Sequence, residues 1–223
     1  MTCCCSFDDT AGRHFNDRIA TRDLARYRTQ GPDPTTRLLR DGLARAGQIN
    51  GSLLDIGSGI GALTFELLDV GISHAVGIDA ASAYVAAARQ EADRRGRADA
   101  TQFVHGDLLA VAAQLPSATV VTLDRVVCCY PAYQPLLAAA AQRAERCLAL
   151  SYPRNLPHLR LAVAVENGAR WVKRDPFRAF VHSAAGMDRL IRGAGFELSS
   201  RSGTWTWSAD VYVRRGPRTS LSA

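Results

Sequence analysis

Leu53-Leu54-Asp55-Ile56-Gly57-Ser58-Gly59-Ile60-Gly61 is the stretch whose reading decides this chain. An apolar run ends in a carboxylate, three glycines follow at alternate positions, and Ala62 to Val70 then carries apolar residues at helical spacing. That order predicts a strand, a tight turn and the start of a helix. Gly57, Gly59 and Gly61 admit positive φ and let a ligand approach the backbone, while a helix start offers unpaired N–H groups. The turn is built to touch a small molecule.

The glycine spacing alone leaves the ligand open, because Gly57, Gly59 and Ala62 also satisfy the G-x-G-x-x-G/A fingerprint of dinucleotide binding. The charges around it discriminate. Asp55 precedes the glycines, Asp79 ends the next apolar run, and Asp107 and Asp124 end the two after that, so four carboxylates converge on one edge of the predicted sheet. A pyrophosphate is repelled there, although one acidic residue about 20 positions on, holding a ribose, belongs to both readings. The sulfonium and ammonium of S-adenosylmethionine are attracted. Each aspartate taken singly reads equally well as a helix N-cap after a strand. Four in the same register argue against capping alone.

With 223 residues, 47% of them hydrophobic, the chain can bury a full core and is expected to form one domain with attached segments. The expected divisions are a helical N-terminal cap at 1–50, the cofactor-binding domain at 51–214 with a lid insertion at about 155–180, and a flexible tail at 215–223. The net charge of +6 is spread along the chain and concentrates only at Arg214, Arg215 and Arg218. Of the 27 basic residues all but Lys173 are arginine, which reads as an Arg-rich solvated surface rather than a polynucleotide groove. No uncharged apolar run reaches the roughly 18 residues of a membrane span, and the N-terminus lacks the apolar core of a signal peptide. A cytoplasmic protein is expected. The cysteines fall as Cys3-Cys4-Cys5, Cys128-Cys129 and Cys147, without C-x-x-C spacing, so neither a metal site nor a redox pair is expected.

Along the chain, Pro32 and Pro34 split the first 50 residues, and Asp33-Pro34-Thr35-Thr36 opens a predicted helix through Leu38, Leu39, Leu43 and Ala46. From Ser52 the apolar runs Leu53–Ile56, Ala75–Ile78, Phe103–Val104, Thr119–Leu123 and Leu148–Leu150 alternate with helix-period segments. This predicts an α/β, Rossmann-like doubly wound sheet of mostly parallel strands. Gly96 closes the helix Ala81 to Arg95, and Pro116 a short one after Asp107. Leu156 to Trp171 then breaks the alternation and is read as the helical lid. Met187 to Ala194 is a short helix stopped by Gly195, and Phe196–Ser202 and Trp205–Val213, joined around Gly203, predict an antiparallel hairpin at the sheet edge. In such sheets the ligand sits beyond the carboxyl ends of the strands, where all four aspartates lie.

The D-x-G-x-G-x-G from Asp55 to Gly61, the Gly77-Ile78-Asp79 strand end, the Gly106-Asp107 step and Asp124 together resemble the class I S-adenosylmethionine-dependent methyltransferases, over roughly residues 50–213. The resemblance implies that the glycine loop, with Ser58, approaches the methionine part of the cofactor, which leaves as S-adenosylhomocysteine. It implies Asp79 on the ribose hydroxyls with Ala80 beside it, Asp107 on the adenine amino group and the Leu108 N–H on the ring. Gly106 and Asp124 complete the implied cofactor contacts. A looser similarity runs to the magnesium-protoporphyrin O-methyltransferases, through Leu123-Asp124, Tyr130-Pro131, the Phe177-Arg178-Ala179-Phe180-Val181-His182 run, Ala194-Gly195-Phe196 and the surroundings of Phe15. That group has a tyrosine where His14 stands and a histidine where Cys129 stands, which leaves the acceptor open.

Methyl transfer is an in-line displacement on an activated sulfonium, so the protein chiefly aligns the acceptor and excludes water. A general base is needed only where the acceptor must lose a proton early. Tyr130, after the fourth strand, is the first candidate on the acceptor side, followed by His182 and His14. The fourth strand's end carries neither an Asp/Asn-Pro-Pro-Tyr run nor Pro-Cys, which favours O- or N-methylation of a small molecule over nucleic acid. Two other readings stand beside this one. An NAD-linked oxidoreductase would need a Tyr-x-x-x-Lys pair that a chain with one lysine lacks, and a non-catalytic cofactor-binding protein is compatible with the same motifs.

Overall fold

The computed structural model describes residues 7–216, so Cys3-Cys4-Cys5 and nearly all of the expected 215–223 tail lie outside the described residues. Three helices precede the sheet: α1 (Phe7–His14), α2 (Asp17–Gln30) and α3 (Pro34–Arg45). Asn16 caps α2 by accepting the Ile19 N–H at 3.3 Å. Pro34 sits in the first turn of α3, where its missing N–H costs nothing. Leu24 and Tyr27 of α2 and Leu39 and Leu43 of α3 are buried in the core on one face of the sheet.

From Ser52 the chain alternates as β1 (Ser52–Ile56), α4 (Ala62–Asp69), β2 (His74–Asp79), α5 (Ser82–Arg94), β3 (Thr101–His105), α6 (Leu108–Val111), β4 (Ala118–Leu123), α7 (Tyr133–Arg143) and β5 (Ala144–Pro153). Then come α8 (Pro157–Val172), α9 (Ala184–Gly193), β6 (Phe196–Gly203) and β7 (Trp207–Arg214). The sheet order is β3-β2-β1-β4-β5-β7-β6, with β1 to β5 parallel and β7 antiparallel to both its neighbours. The β6–β7 hairpin is therefore the predicted edge element. Successive residues of β1 point to opposite faces, so Leu53 packs with Leu39 and Phe65, and Leu54 and Ile56 pack with Leu136 and Ile191 on the other side. The chain reverses direction across the sheet between β1 and β4, the place where a crevice opens at the strand ends.

Local differences from the expected boundaries have identifiable causes. The helix expected from Met187 begins at Ala184, because Ser183 accepts the Gly186 N–H at 3.2 Å. The last strand begins at Trp207 rather than Trp205, because Thr204 Oγ1 accepts the N–H groups of Thr206 and Trp207 and holds a turn. The segment read as a lid is the helix α8, and no residue of it is buried. No helix among the described residues is long and apolar enough to cross a membrane.

Candidate active site

The glycine turn joins β1 to α4 with φ of 65°, 55° and 81° at Gly57, Gly59 and Gly61. The N–H groups of Gly57 and Ser58 donate to the Ile78 carbonyl at 2.7 and 3.0 Å, which ties the turn to the end of β2. A Cβ on Gly57 would stand 2.3 Å from Val126 Cγ2, whereas one on Gly59 would meet nothing within 4 Å. Gly57 is thus required by packing. Gly59 leaves its backbone open to the cavity it lines. Ser58 Oγ is buried and has no hydrogen-bond partner among the described residues.

Asp79 braces this turn, its Oδ2 accepting the Gly59 N–H and its Oδ1 the Ala81 N–H, both at 2.8 Å. Each oxygen keeps a further lone pair for a ligand hydroxyl. Burial pushes the Asp79 carboxyl up to about 6 against these two donors. Asp55 lies deeper, paired in register with Gly77 and Thr122, and accepts the hydroxyls of Thr122 at 2.7 Å and Thr64 at 2.8 Å. Burial pushes it up to about 7, and the charges of Asp124 and Asp79 add to the rise.

The other two aspartates have protein partners as well. Asp124 accepts the hydroxyls of Thr36 at 2.6 Å and Ser151 at 2.5 Å, joining α3 and β5 at the end of β4. Asp107 caps α6 through the Leu109 N–H at 3.3 Å and also accepts the Tyr130 hydroxyl. Asp55, Asp79 and Asp124 line one cavity of about 550 Å³ with Gly57, Ser58, Gly59 and Ala80. Asp107 stands beside it, while its neighbours Gly106 and Leu108 are in the wall.

The wall also carries an aromatic group, with Phe7, His14, Phe15, Tyr130, Phe177, Phe180 and Trp207 among its members, beside charged side chains such as Arg26, Asp33, Arg125 and Arg170. His14, the last residue of α1, stacks on Phe177 with ring centres 4.2 Å apart and 8° between planes. Its Nδ1 lies 2.8 Å from Asp175 Oδ2. Burial pushes the Asp175 carboxyl up, but the Phe177 N–H and the His14 ring outweigh it and hold it below the usual range. The carboxylate therefore only accepts, and Nδ1 carries the proton.

Tyr130 stacks on Phe7, and its burial together with Asp107 pushes its pKa upward. It is no proton acceptor in this state. His182, expected on the acceptor side, lies outside the cavity wall, its Nε2 2.8 Å from the Tyr130 carbonyl and 3.1 Å from that of Val127. Carbonyls only accept, so this nitrogen donates and fixes the loop from 127 to 130. Cys128 and Cys129 are in the wall with sulfurs 4.0 Å apart, and the Cys128 contact and burial push the Cys129 thiol up, away from the reactive thiolate.

Two features escaped the sequence. Asp175 is 161 residues from His14, and no local pattern marks the pair. Arg125 holds φ at 61°, with its N–H on Ser151 Oγ at 2.8 Å and its guanidinium on Asp33 at 2.7 Å, a carboxylate that Arg26 shares at 2.8 Å. Among the described residues no three His, Cys, Asp or Glu side chains are placed to hold a metal ion.

Buried carboxylates beneath an open glycine turn, with an unpartnered hydroxyl at Ser58, suit a small cationic molecule better than a pyrophosphate. Residues 53–150 match the family described as a methyltransferase domain. No protein of curated function matches the chain by sequence. Among solved structures, magnesium protoporphyrin IX methyltransferase (ChlM) from Synechocystis PCC 6803 with bound S-adenosylmethionine is similar at 19% identity and a TM-score of 0.71, covering 96% of this chain and 100% of that one. An O-methyltransferase family protein from Burkholderia thailandensis is similar at 15% identity and 0.69, over 91% of this chain and 61% of that one. An O-methyltransferase family 2 protein from Planctomyces limnophilus DSM 3776 in complex with apigenin gives 17% and 0.59, over 81% and 62%. The chain thus contains a methyltransferase domain at residues 53–150, set in a seven-stranded sheet of order β3-β2-β1-β4-β5-β7-β6.

Proposed function

We propose that this enzyme methylates the oxygen or nitrogen of a small, planar, largely apolar acceptor, with the His14–Asp175 pair taking up the acceptor's proton. The observation that carries the reading is that the glycine turn and the aromatic wall around His14 open into the same cavity. S-adenosylmethionine, when bound, supplies an electrophilic methyl group on its sulfonium. Gly59 leaves room for the methionine part, Asp79 offers its free lone pairs to the ribose hydroxyls, and Asp55 acts on the cationic end through its field. Phe15, Phe177 and Phe180 line the acceptor's side of the cavity and keep water out.

Asp175 holds His14 in one tautomer, and Nε2 has no hydrogen-bond partner among the described residues. That nitrogen is free to receive a proton from a hydroxyl or amine. Tyr130 and His182 act as supports, Tyr130 by bracing Asp107 and His182 by bracing the loop behind it. Planar substrates suit this wall, and two of the similar structures belong to proteins named for magnesium protoporphyrin IX or crystallised in complex with apigenin.

The test is turnover with methyl-deuterated cofactor and a panel of planar phenols and aryl amines, read by mass spectrometry. His14→Ala should lower kcat on the order of 100-fold or more while the cofactor still binds. Full turnover by that variant would remove the base from the mechanism.

A further inference from the structure

The two sides of α8 have opposite surroundings. Val163, Glu166 and Arg170, spaced by three and four residues, line the cavity. Leu161, Val165 and Val172 lie half a turn away and point outward, 65–74% exposed. A helix facing water should be polar there, yet this face carries only Ala162, Gly168 and Ala169 between those three, with Trp171 at its flank.

Trp205, 91% exposed, stands in the turn between β6 and β7. That turn is tied to the start of the lid, because the Thr206 carbonyl accepts the Arg154 N–H at 2.9 Å. Together α8 and this turn hold five of the seven large apolar side chains exposed among the described residues.

Charge selects what covers the patch. Arg154 and Arg160 at one end of the helix and Lys173 and Arg174 at the other are exposed. The one carboxylate of α8, Glu166, is on the cavity side and paired with Arg170 at 2.5 Å. A second copy of this chain would set basic ends against basic ends.

We propose that the outer face of α8, with Trp205, docks on an anionic lipid surface: the apolar stripe enters the interfacial zone and the basic ends meet the headgroups. The 16-residue helix lies in the plane of the surface, with tryptophans at the level they favour. One consequence rests on the proposed function. The same helix walls the cavity, so the acceptor is a lipophilic molecule that enters from the bilayer side.

Sedimentation of the full chain with vesicles tests the surface, using phosphatidylglycerol mixed with phosphatidylcholine and phosphatidylcholine alone, at low and high salt. Binding to the anionic vesicles at low salt, with a blue shift of tryptophan emission, is the expected result. The Leu161→Gln/Val165→Gln/Val172→Gln variant should partition about tenfold or more weakly. Trp205→Ser, in an exposed turn where folding is not at stake, should weaken it about threefold. Equal binding to both vesicle types, or wild-type binding by the triple variant, would overturn the proposal. So would a wild-type dimer that the triple substitution dissolves. Calorimetry with S-adenosylmethionine on the same proteins reads the cofactor site separately, so a failed surface and a failed cofactor site give different results.

Discussion

A methyl group added at Gly59 meets nothing, whereas one added at Gly57 strikes Val126, although both residues hold φ in the left-handed region. Gly59→Ala should therefore fold with a loss of about 1–2 kcal/mol from backbone strain and forfeit most of its affinity for S-adenosylmethionine. Gly57→Ala should melt far lower. Thermal melting with calorimetry separates the two, and equal behaviour would contradict the division of labour within the turn. Asp55 offers a pH test. Its carboxyl is raised to about 7 and that of Asp79 to about 6, from 3.8. Raised carboxyl groups contribute stability that is present below the unfolded value and lost as pH rises through the folded one. The free enzyme should thus lose stability between about pH 4 and 7. Cofactor affinity should run the other way, climbing between about pH 5.5 and 8, because a cationic ligand favours ionised carboxylates. Asp55→Asn should flatten the upper part of that climb and leave adenosine binding unchanged. A flat wild-type profile by calorimetry would reduce Asp55 to a link between Thr64 and Thr122.

Between elements, the N-terminal helices are held to the sheet by charge as well as packing. Glu91 of α5, fully buried, receives Arg28 of α2 at 2.9 Å together with Arg94 and Arg95. Hydrogen bonds from Arg94 lead the causes that lower it to about 2. Glu91→Gln should cost about 1.5–3 kcal/mol at neutral pH. A lowered carboxyl contributes stability above its unfolded value of 4.5 that is lost as pH falls through the folded one, so the two melting curves should converge toward about pH 2. Identical melts at neutral pH would contradict the clamp. Four of the five parallel strands were legible because each is a short apolar run punctuated by glycine or aspartate, and β5 by its apolar run Leu148–Leu150 alone. The burial of α2 was not, because Leu24 and Tyr27 stand among Arg22, Asp23, Arg26 and Arg28 and reach the core only once Glu91 receives Arg28 and Asp33 receives Arg26. Helix α8 was legible as an interruption of the alternation. Which of its faces meets the cavity needed the structure, since the apolar face of α8 is the one turned outward and the cavity side carries Glu166 and Arg170.

The whole site is assembled from parts of the chain that do not read together. The glycine turn and Asp79 are local signals and were legible from spacing alone. His14 with Asp175, by contrast, depends on α1 folding back against the segment after α8, a contact that leaves no periodicity in either stretch. Tyr130 and His182 have the right chemistry, and only their partners, Asp107 and two backbone carbonyls, show them engaged. Removing residues 1–15, which takes α1 and His14 but spares the buried Leu24 and Tyr27 of α2, should leave cofactor affinity nearly intact and abolish turnover. Turnover by that truncation would mean the proton leaves by another route. The most direct test of the whole is a calorimetric titration of the intact chain with S-adenosylmethionine and, separately, with NAD. Saturable binding of S-adenosylmethionine at one site per chain, with no heat from NAD at the same concentration, is the expected result. Saturable binding of NAD, with none of S-adenosylmethionine, would contradict it.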